Sequence, residues 1–227
     1  MELEAFAERV TSATTLFKTV LKEKALNNDW FRIYERNISQ YDDTEHINML
    51  YLVYLKMILE ARKRGYTDIL DIGSGIQCAK MIDPTITSSN PQSALTGTAE
   101  YFQYINHALN IEDDVVLADC IKESNWINTH NTFDCLLLIR FFPWDLEILP
   151  YTKTIYKNII CELDRTLRPD GVVWYNPISH DRFETMAGDT YQLWEPVEII
   201  NTPRYYKHYG PIYQITKSDL HTIALSL

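Results

Sequence analysis

The run Ile69-Leu70-Asp71-Ile72-Gly73-Ser74-Gly75 has the residue types and order to hold a ligand. Apolar residues lead into two glycines, which let a backbone turn sharply and approach a bound group with no Cβ in the way. Asp71 is the informative member. A carboxylate at that position repels a pyrophosphate and favours a cationic ammonium or sulfonium. The dinucleotide pattern G-x-G-x-x-G also needs a third glycine where Cys78 stands. Both departures point away from a dinucleotide and toward a sulfonium nucleoside; a strand-to-helix turn with no ligand is the plainer use of the same residues.

Other residues suggest chemistry more weakly. His180 is the candidate general base, with His46, His107 and His208 less well placed. The segment Arg140-Phe141-Phe142-Pro143-Trp144-Asp145 offers flat apolar surface that can stack on a purine or acceptor, hold a cation, or simply cover a sheet. Phe142 and Trp144 are the substrate-binding candidates there, joined by Tyr34, which lies with Trp30 and Tyr41 ahead of the glycine run. The cysteines Cys78, Cys120, Cys135 and Cys161 are dispersed and have no metal-ligand spacing, so no metal is expected.

The elements that must position these groups follow from periodicity. Leu3, Phe6, Val10, Ala13, Phe17 and Val20 recur at helical intervals, as do Leu50, Val53, Tyr54, Met57, Ile58 and Ala61. The second helix ends in Arg62-Lys63-Arg64 before Gly65, cations at the negative end of the dipole and then a glycine stop. From there the period changes. Strands are expected at 69–72, weakly at 94–98, at 115–118, at 133–139 and at 172–175, with helices near 101–109 and 151–167. Asp83-Pro84 stops the helix after the glycine run early and leaves a loop through Ser88-Ser89-Asn90-Pro91, while Arg168-Pro169-Asp170-Gly171 forms a turn. Segments 197–200 and 212–215 are expected to add an antiparallel edge. The fold class is α/β, an open and mostly parallel sheet with helices on both faces. Residues 1–64 form an N-terminal helical cap and 65–227 the core.

The whole chain sets bounds on partners. Its 227 residues are 46% hydrophobic and 23% charged, an ordinary globular composition. A net charge of −10 argues against long nucleic acid and suits a cationic or neutral small molecule, or a protein partner. No apolar run reaches the roughly 20 residues of a membrane span, and the start MELEAFAERV carries acids where a secretory signal carries cations, so a soluble cytoplasmic protein is expected.

Four motifs in order resemble the class I S-adenosylmethionine-dependent methyltransferases, whose core is Rossmann-like, over residues 66–175. Asp71-Ile72-Gly73-Ser74-Gly75 resembles their first glycine motif, Leu117-Ala118-Asp119-Cys120 their acid after the third strand, Phe133-Asp134-Cys135-Leu136-Leu137-Leu138 their fourth strand, and Leu167-Arg168-Pro169-Asp170-Gly171-Val172 the turn before their fifth. The resemblance implies that S-adenosyl-L-methionine is the cofactor. It implies Asp71, Gly73 and Gly75 at the methionine end and Asp119 at adenine, with Cys120 and Arg140 also against the cofactor. The family's ribose acid falls two residues after the glycine of strand two; Gly97-Thr98-Ala99-Glu100 has alanine there, which moves the role to Glu100 or leaves Glu100 as a helix N-terminal acid. The implied reaction is in-line methyl transfer to a small-molecule acceptor. Nucleic-acid and protein acceptors are weaker options, since Phe141 replaces the polar residue that amino-directed DNA methyltransferases carry before Pro143-Trp144. Two alternatives remain: a catalytically inactive, methyltransferase-like interaction subunit, with a protein partner or homodimer, and an aminopropyl transferase, for which Asp145 and Glu147 are the only paired acids after strand four.

Overall fold

A computed structural model describes residues 1–24, 44–91, 106–107, 109–118, 120, 123–130, 132–139, 153–176, 197–201 and 211–226. The elements in chain order are α1 (Leu3–Lys24), α2 (Thr44–Lys63), β1 (Ile69–Ile72), α3 (Cys78–Ile82), β2 (Thr87–Pro91), β3 (Val115–Leu117), β4 (Phe133–Leu138), α4 (Lys153–Thr166), β5 (Leu167–Tyr175), β6 (Val197–Ile200), β7 (Ile212–Thr216) and α5 (Lys217–Ser226). The strands form one sheet in the order β3-β2-β1-β4-β5-β7-β6. Pairing is parallel from β3 through β5, and β7 runs antiparallel to both β5 and β6. The α/β class and the antiparallel contribution of segments 197–200 and 212–216 agree with the sequence patterning.

Alternation along the strands divides the core between two faces. Ile69, Cys135, Leu137, Val172 and Trp174 pack with Phe6 and Val10 of α1, with the Leu50 to Ala61 stripe of α2, and with α3. Leu70, Ile72, Leu136, Leu138, Val173 and Tyr175 pack on the other face with Ile155, Ile159 and Leu163 of α4 and with Leu220 and Ile223 of α5. Trp174 and Trp126 are fully buried; each such side chain contributes roughly 1.5–3 kcal/mol. No helix among the described residues is long and apolar enough to cross a membrane.

Helix ends follow local chemistry. At the end of α2, Gly65 adopts φ 82. Its N–H donates to the Arg62 carbonyl at 3.0 Å and that of Tyr66 to the Ala61 carbonyl at 3.0 Å, closing the helix in a Schellman arrangement. Helix α5 carries no expectation from periodicity, yet it has a start signal in Thr216-Lys217-Ser218-Asp219. The Asp219 N–H donates to Thr216 Oγ1 at 3.2 Å and the Thr216 N–H to Asp219 Oδ2 at 3.1 Å, a reciprocal cap.

Two expectations are corrected. Ser88-Ser89-Asn90-Pro91 is not a loop but most of β2, paired with β1 on one side and β3 on the other. The strand's polar side chains find partners inside the protein, so it needs no apolar pattern. The expected strand at 94–98 lies outside the described residues. Arg168-Pro169-Asp170-Gly171 is not a free turn but part of β5: Phe133 pairs with Leu167 and Cys135 with Val172, so the intervening residues bulge from the ladder. Pro169 is tolerated in such a bulge. Gly171 is required there, because a Cβ would lie 2.8 Å from Leu167 Cδ2 and 3.0 Å from the Arg168 carbonyl oxygen.

Asp134 ties this bulge to the start of β1. Its Oδ2 accepts from the Thr67 and Asp68 N–H groups, each at 2.9 Å, and its Oδ1 from Arg168 at 2.7 Å. Although burial opposes ionisation, these donors hold its pKa down at about 2. A carboxylate depressed in the folded state stabilises it fully above the unfolded value of about 3.9 and loses that contribution as pH falls. Asp134→Asn is therefore expected to be less stable than wild type at pH 7, with the difference shrinking between about pH 4 and pH 2 in denaturant titrations.

Candidate functional site

The order of strands reverses at β1, which has β2 on one side and β4 on the other. In open α/β sheets the crevice outside the carboxyl ends of the strands at such a reversal is where ligands bind. The turn that leaves β1 there is left-handed at three positions, with φ 71 at Gly73, 56 at Gly75 and 56 at Gln77. Gln77 is not glycine, and a left-handed residue with a Cβ costs roughly 1–2 kcal/mol. Its buried side chain is held at both ends: Nε2 donates to Asp113 Oδ1 at 2.7 Å, and Oε1 accepts from the Ser88 hydroxyl at 3.2 Å.

The first half of the turn is sewn to β2 through serines. The Ser74 N–H donates to the Ser89 carbonyl at 2.8 Å and the Ser89 N–H to Ser74 Oγ at 3.0 Å. Both hydroxyls donate to the main-chain carbonyl of Asp71, at 2.7 Å from Ser74 and 2.8 Å from Ser89. Asparagines hold the second half. The Gly75 N–H donates to Asn90 Oδ1 at 2.8 Å, and the Gly75 carbonyl accepts from Asn90 Nδ2 and Asn106 Nδ2, each at 3.1 Å.

Asp71 differs from all of these. It is 1% exposed, and among the described residues neither carboxylate oxygen has a hydrogen-bond partner. Burial pushes its pKa up to about 7, tempered by the nearby Ser74 hydroxyl. Asn106 Oδ1 is a second buried acceptor without a partner among the described residues. Buried acceptors left unpaired cost free energy, so a donor brought to this turn would stabilise it.

Of the residues singled out from sequence, Asp71, Gly73 and Gly75 come together in this turn. Cys120 lies half-buried beyond β3, packed with Ala118 against the second core cluster. Tyr34, Glu100, Asp119, Arg140, Phe142, Trp144 and His180 lie outside the described residues. Strand β2 is described over Thr87–Pro91, with Asn90 buried near its end, and the segment from there to Glu100 lies outside the described residues. Sequence reasoning missed Ser74, Gln77, Ser89, Asn90, Asn106 and Asp113. The one available signal was four consecutive polar residues, Thr87 to Asn90, at the distance from β1 where a second strand belongs.

No family model matches the chain, and no curated protein matches it. Among solved structures it is similar to an amino pentose methyltransferase of calicheamicin biosynthesis from Micromonospora echinaspora with S-adenosylmethionine bound, at 16% identity and TM-score 0.42, covering 66% of this chain and 58% of that one. It is similar to a S-adenosylmethionine-dependent methyltransferase from Clostridium acetobutylicum at 12% identity and TM-score 0.44, covering 74% and 65%. An N-methyltransferase from Bradyrhizobium japonicum aligns at 11% identity and TM-score 0.42, covering 72% and 93%. The chain thus spans less than two thirds of the length of the first two.

Asp71 also leaves a mark on the folded protein alone. Its folded pKa lies above the unfolded value, so between about pH 4 and pH 7 the unfolded chain ionises while the native one stays protonated, and stability falls with rising pH. Asp71→Asn is expected to abolish that slope in urea titrations run from pH 5 to 8. An unchanged slope would show that another group carries it.

Proposed function

We propose that the chain is an S-adenosylmethionine-dependent methyltransferase acting on a small-molecule acceptor. The observation that carries this reading is Asp71, a fully buried carboxylate without a partner among the described residues, at the glycine turn of the strand where the sheet order reverses. When bound, S-adenosylmethionine supplies an activated methyl group, whose carbon–sulfur bond breaks as the bond to the acceptor forms, leaving S-adenosylhomocysteine. Asp71, Gly73 and Gly75 hold its methionine end, with the ionised form of Asp71 attracting the cation. Glu100 takes the ribose and Asp119 the adenine, with Cys120 and Arg140 beside them. Phe142, Trp144 and Tyr34 exclude water around the acceptor, and His180 takes a proton from it where it carries one. Residues 1–64 cover the crevice of the core, 65–227, and the protein works in the cytoplasm.

A second reading, a methyltransferase-like interaction subunit without catalysis, is favoured by a different observation. The Gly75 N–H is already taken by Asn90, and that strand's last buried polar residue is an amide rather than an acid.

Calorimetry separates the two. The enzyme reading expects S-adenosylmethionine to bind with an affinity that rises with pH up to about 7 and then levels off, because ionised Asp71 is the form that attracts the cation. Asp71→Ala is expected to weaken binding about tenfold or more, consistent with the roughly 1.5–3 kcal/mol of a charged hydrogen bond. No heat of binding at millimolar cofactor would end the reading and leave the interaction subunit.

A further inference from the structure

The glycine turn is held by side-chain amides, and one carboxylate joins two of them. The side-chain amides of Asn90 and Gln77 each have a donor end and an acceptor end of nearly the same shape. Asp113 Oδ1 accepts from Asn90 Nδ2 at 2.8 Å and from Gln77 Nε2 at 2.7 Å. An ionised carboxylate only accepts, so both amides must turn their nitrogens to it. This agrees with what Gly75 requires of Asn90, acceptor to its N–H and donor to its carbonyl, and it leaves Gln77 Oε1 beside the Ser88 hydroxyl, which it shares with Asp114 Oδ2. Reversed, the Asn90 amide would set a donor against the Gly75 N–H and an acceptor against its carbonyl.

Resting on the ligand reading of this crevice, we propose that Asp113 is a positioning residue, keying the Asn90 and Gln77 amides so that Gly75 is held in its ligand-ready conformation. Asp113 itself has no place in the reacting centre. It belongs to the segment ahead of β3, whose neighbours are anchored independently. Lys80 donates to the Glu112 carbonyl at 2.9 Å and pairs with Asp114 at 2.7 Å, and Asp114 Oδ2 accepts from the Ser88 N–H at 2.8 Å. Removal of the Asp113 carboxylate therefore leaves this segment attached to α3 and β2. Burial raises the Asp113 pKa, with the Asn90 and Gln77 bonds and the charge of Lys80 opposing the shift. Those bonds are thus the ones that favour its acceptor-only form.

The chain has seven glycines, so protein labelled with [15N]glycine gives few backbone amide signals, among them Gly75 and Gly65. In Asp113→Ala, Gly75 amide exchange is expected to accelerate at least about tenfold while that of Gly65, whose N–H donates to the Arg62 carbonyl, is unchanged, and S-adenosylhomocysteine binding to weaken about tenfold. Asn90→Ala should do the same, and the double variant should be no worse than either, as for two residues acting through one contact. Asp113→Asn, which keeps one carbonyl oxygen for both donors, should restore most of both properties, which a purely structural loss of charge would not. Unchanged Gly75 exchange in Asp113→Ala overturns the proposal, as does wild-type affinity for S-adenosylhomocysteine in that variant. If wild-type protein binds no S-adenosylhomocysteine, the ligand reading fails by itself and the exchange measurement still decides what Asp113 does.

Discussion

The structure depends on how a strand made of polar residues is buried in the middle of a sheet. Ser88, Ser89 and Asn90 are at most 2% exposed, and a buried hydroxyl or amide without partners costs roughly 1–3 kcal/mol. Strand β2 can occupy its place between β1 and β3 only because the glycine turn and the segment before β3 present matching donors and acceptors. The converse holds as well. Gly73, Gly75 and Gln77 adopt left-handed conformations that the turn keeps because β2 binds its backbone. Strand and turn are two halves of one hydrogen-bonded unit, and neither makes sense in isolation.

Two carboxylates show how differently the ends of the sheet are used. Asp134, near the amino end of β4, has its charge met by two backbone N–H groups and an arginine, and is held ionised. Asp71, toward the carboxyl end of β1, is buried more deeply, and among the described residues only the nearby Ser74 hydroxyl eases its ionisation. Both are acids on central strands of the same sheet. One secures the β4–β5 bulge to the start of β1; the other has a requirement that the described residues do not fill. Solvation and partners decide a buried charge far more than residue type, so the same kind of acid is held ionised at one end of the sheet and pushed toward its neutral form at the other.

Elements built on apolar periodicity were legible in the sequence. The α2 stripe buries a helical apolar face, β1 and β4 are apolar runs buried nearly throughout, the short segments 197–200 and 212–215 carry apolar residues, and the glycine run announced the turn. What failed to show was whatever rests on tertiary hydrogen bonding. Thr87-Ser88-Ser89-Asn90 reads locally as a loop because hydroxyls and amides compete for backbone groups in turns, and only partners distant in sequence reverse that preference. Asp113 is similar: nothing beside it reveals that Gln77 and Asn90 converge there. Arg168 to Gly171 has turn composition and does bend the chain, but pairing with β4 absorbs the bend as a bulge. Of the site, Asp71 and its glycines were visible as a motif, while the amides and serines that hold them were not.

Asp71 also constrains any account of what the crevice is for. With a folded pKa of about 7 against about 3.9 unfolded, holding it costs the empty protein on the order of 4 kcal/mol at neutral pH and above. That is a large fraction of the 5–15 kcal/mol by which domains are stable. An apolar residue would pack in the same volume without the penalty, and the described residues leave that penalty uncompensated. A bound cation reverses the balance, because it favours the ionised form that burial opposes, and the proton then leaves as the ligand arrives. On the proposed reading, the same free energy that weakens the empty fold becomes discrimination for positive charge.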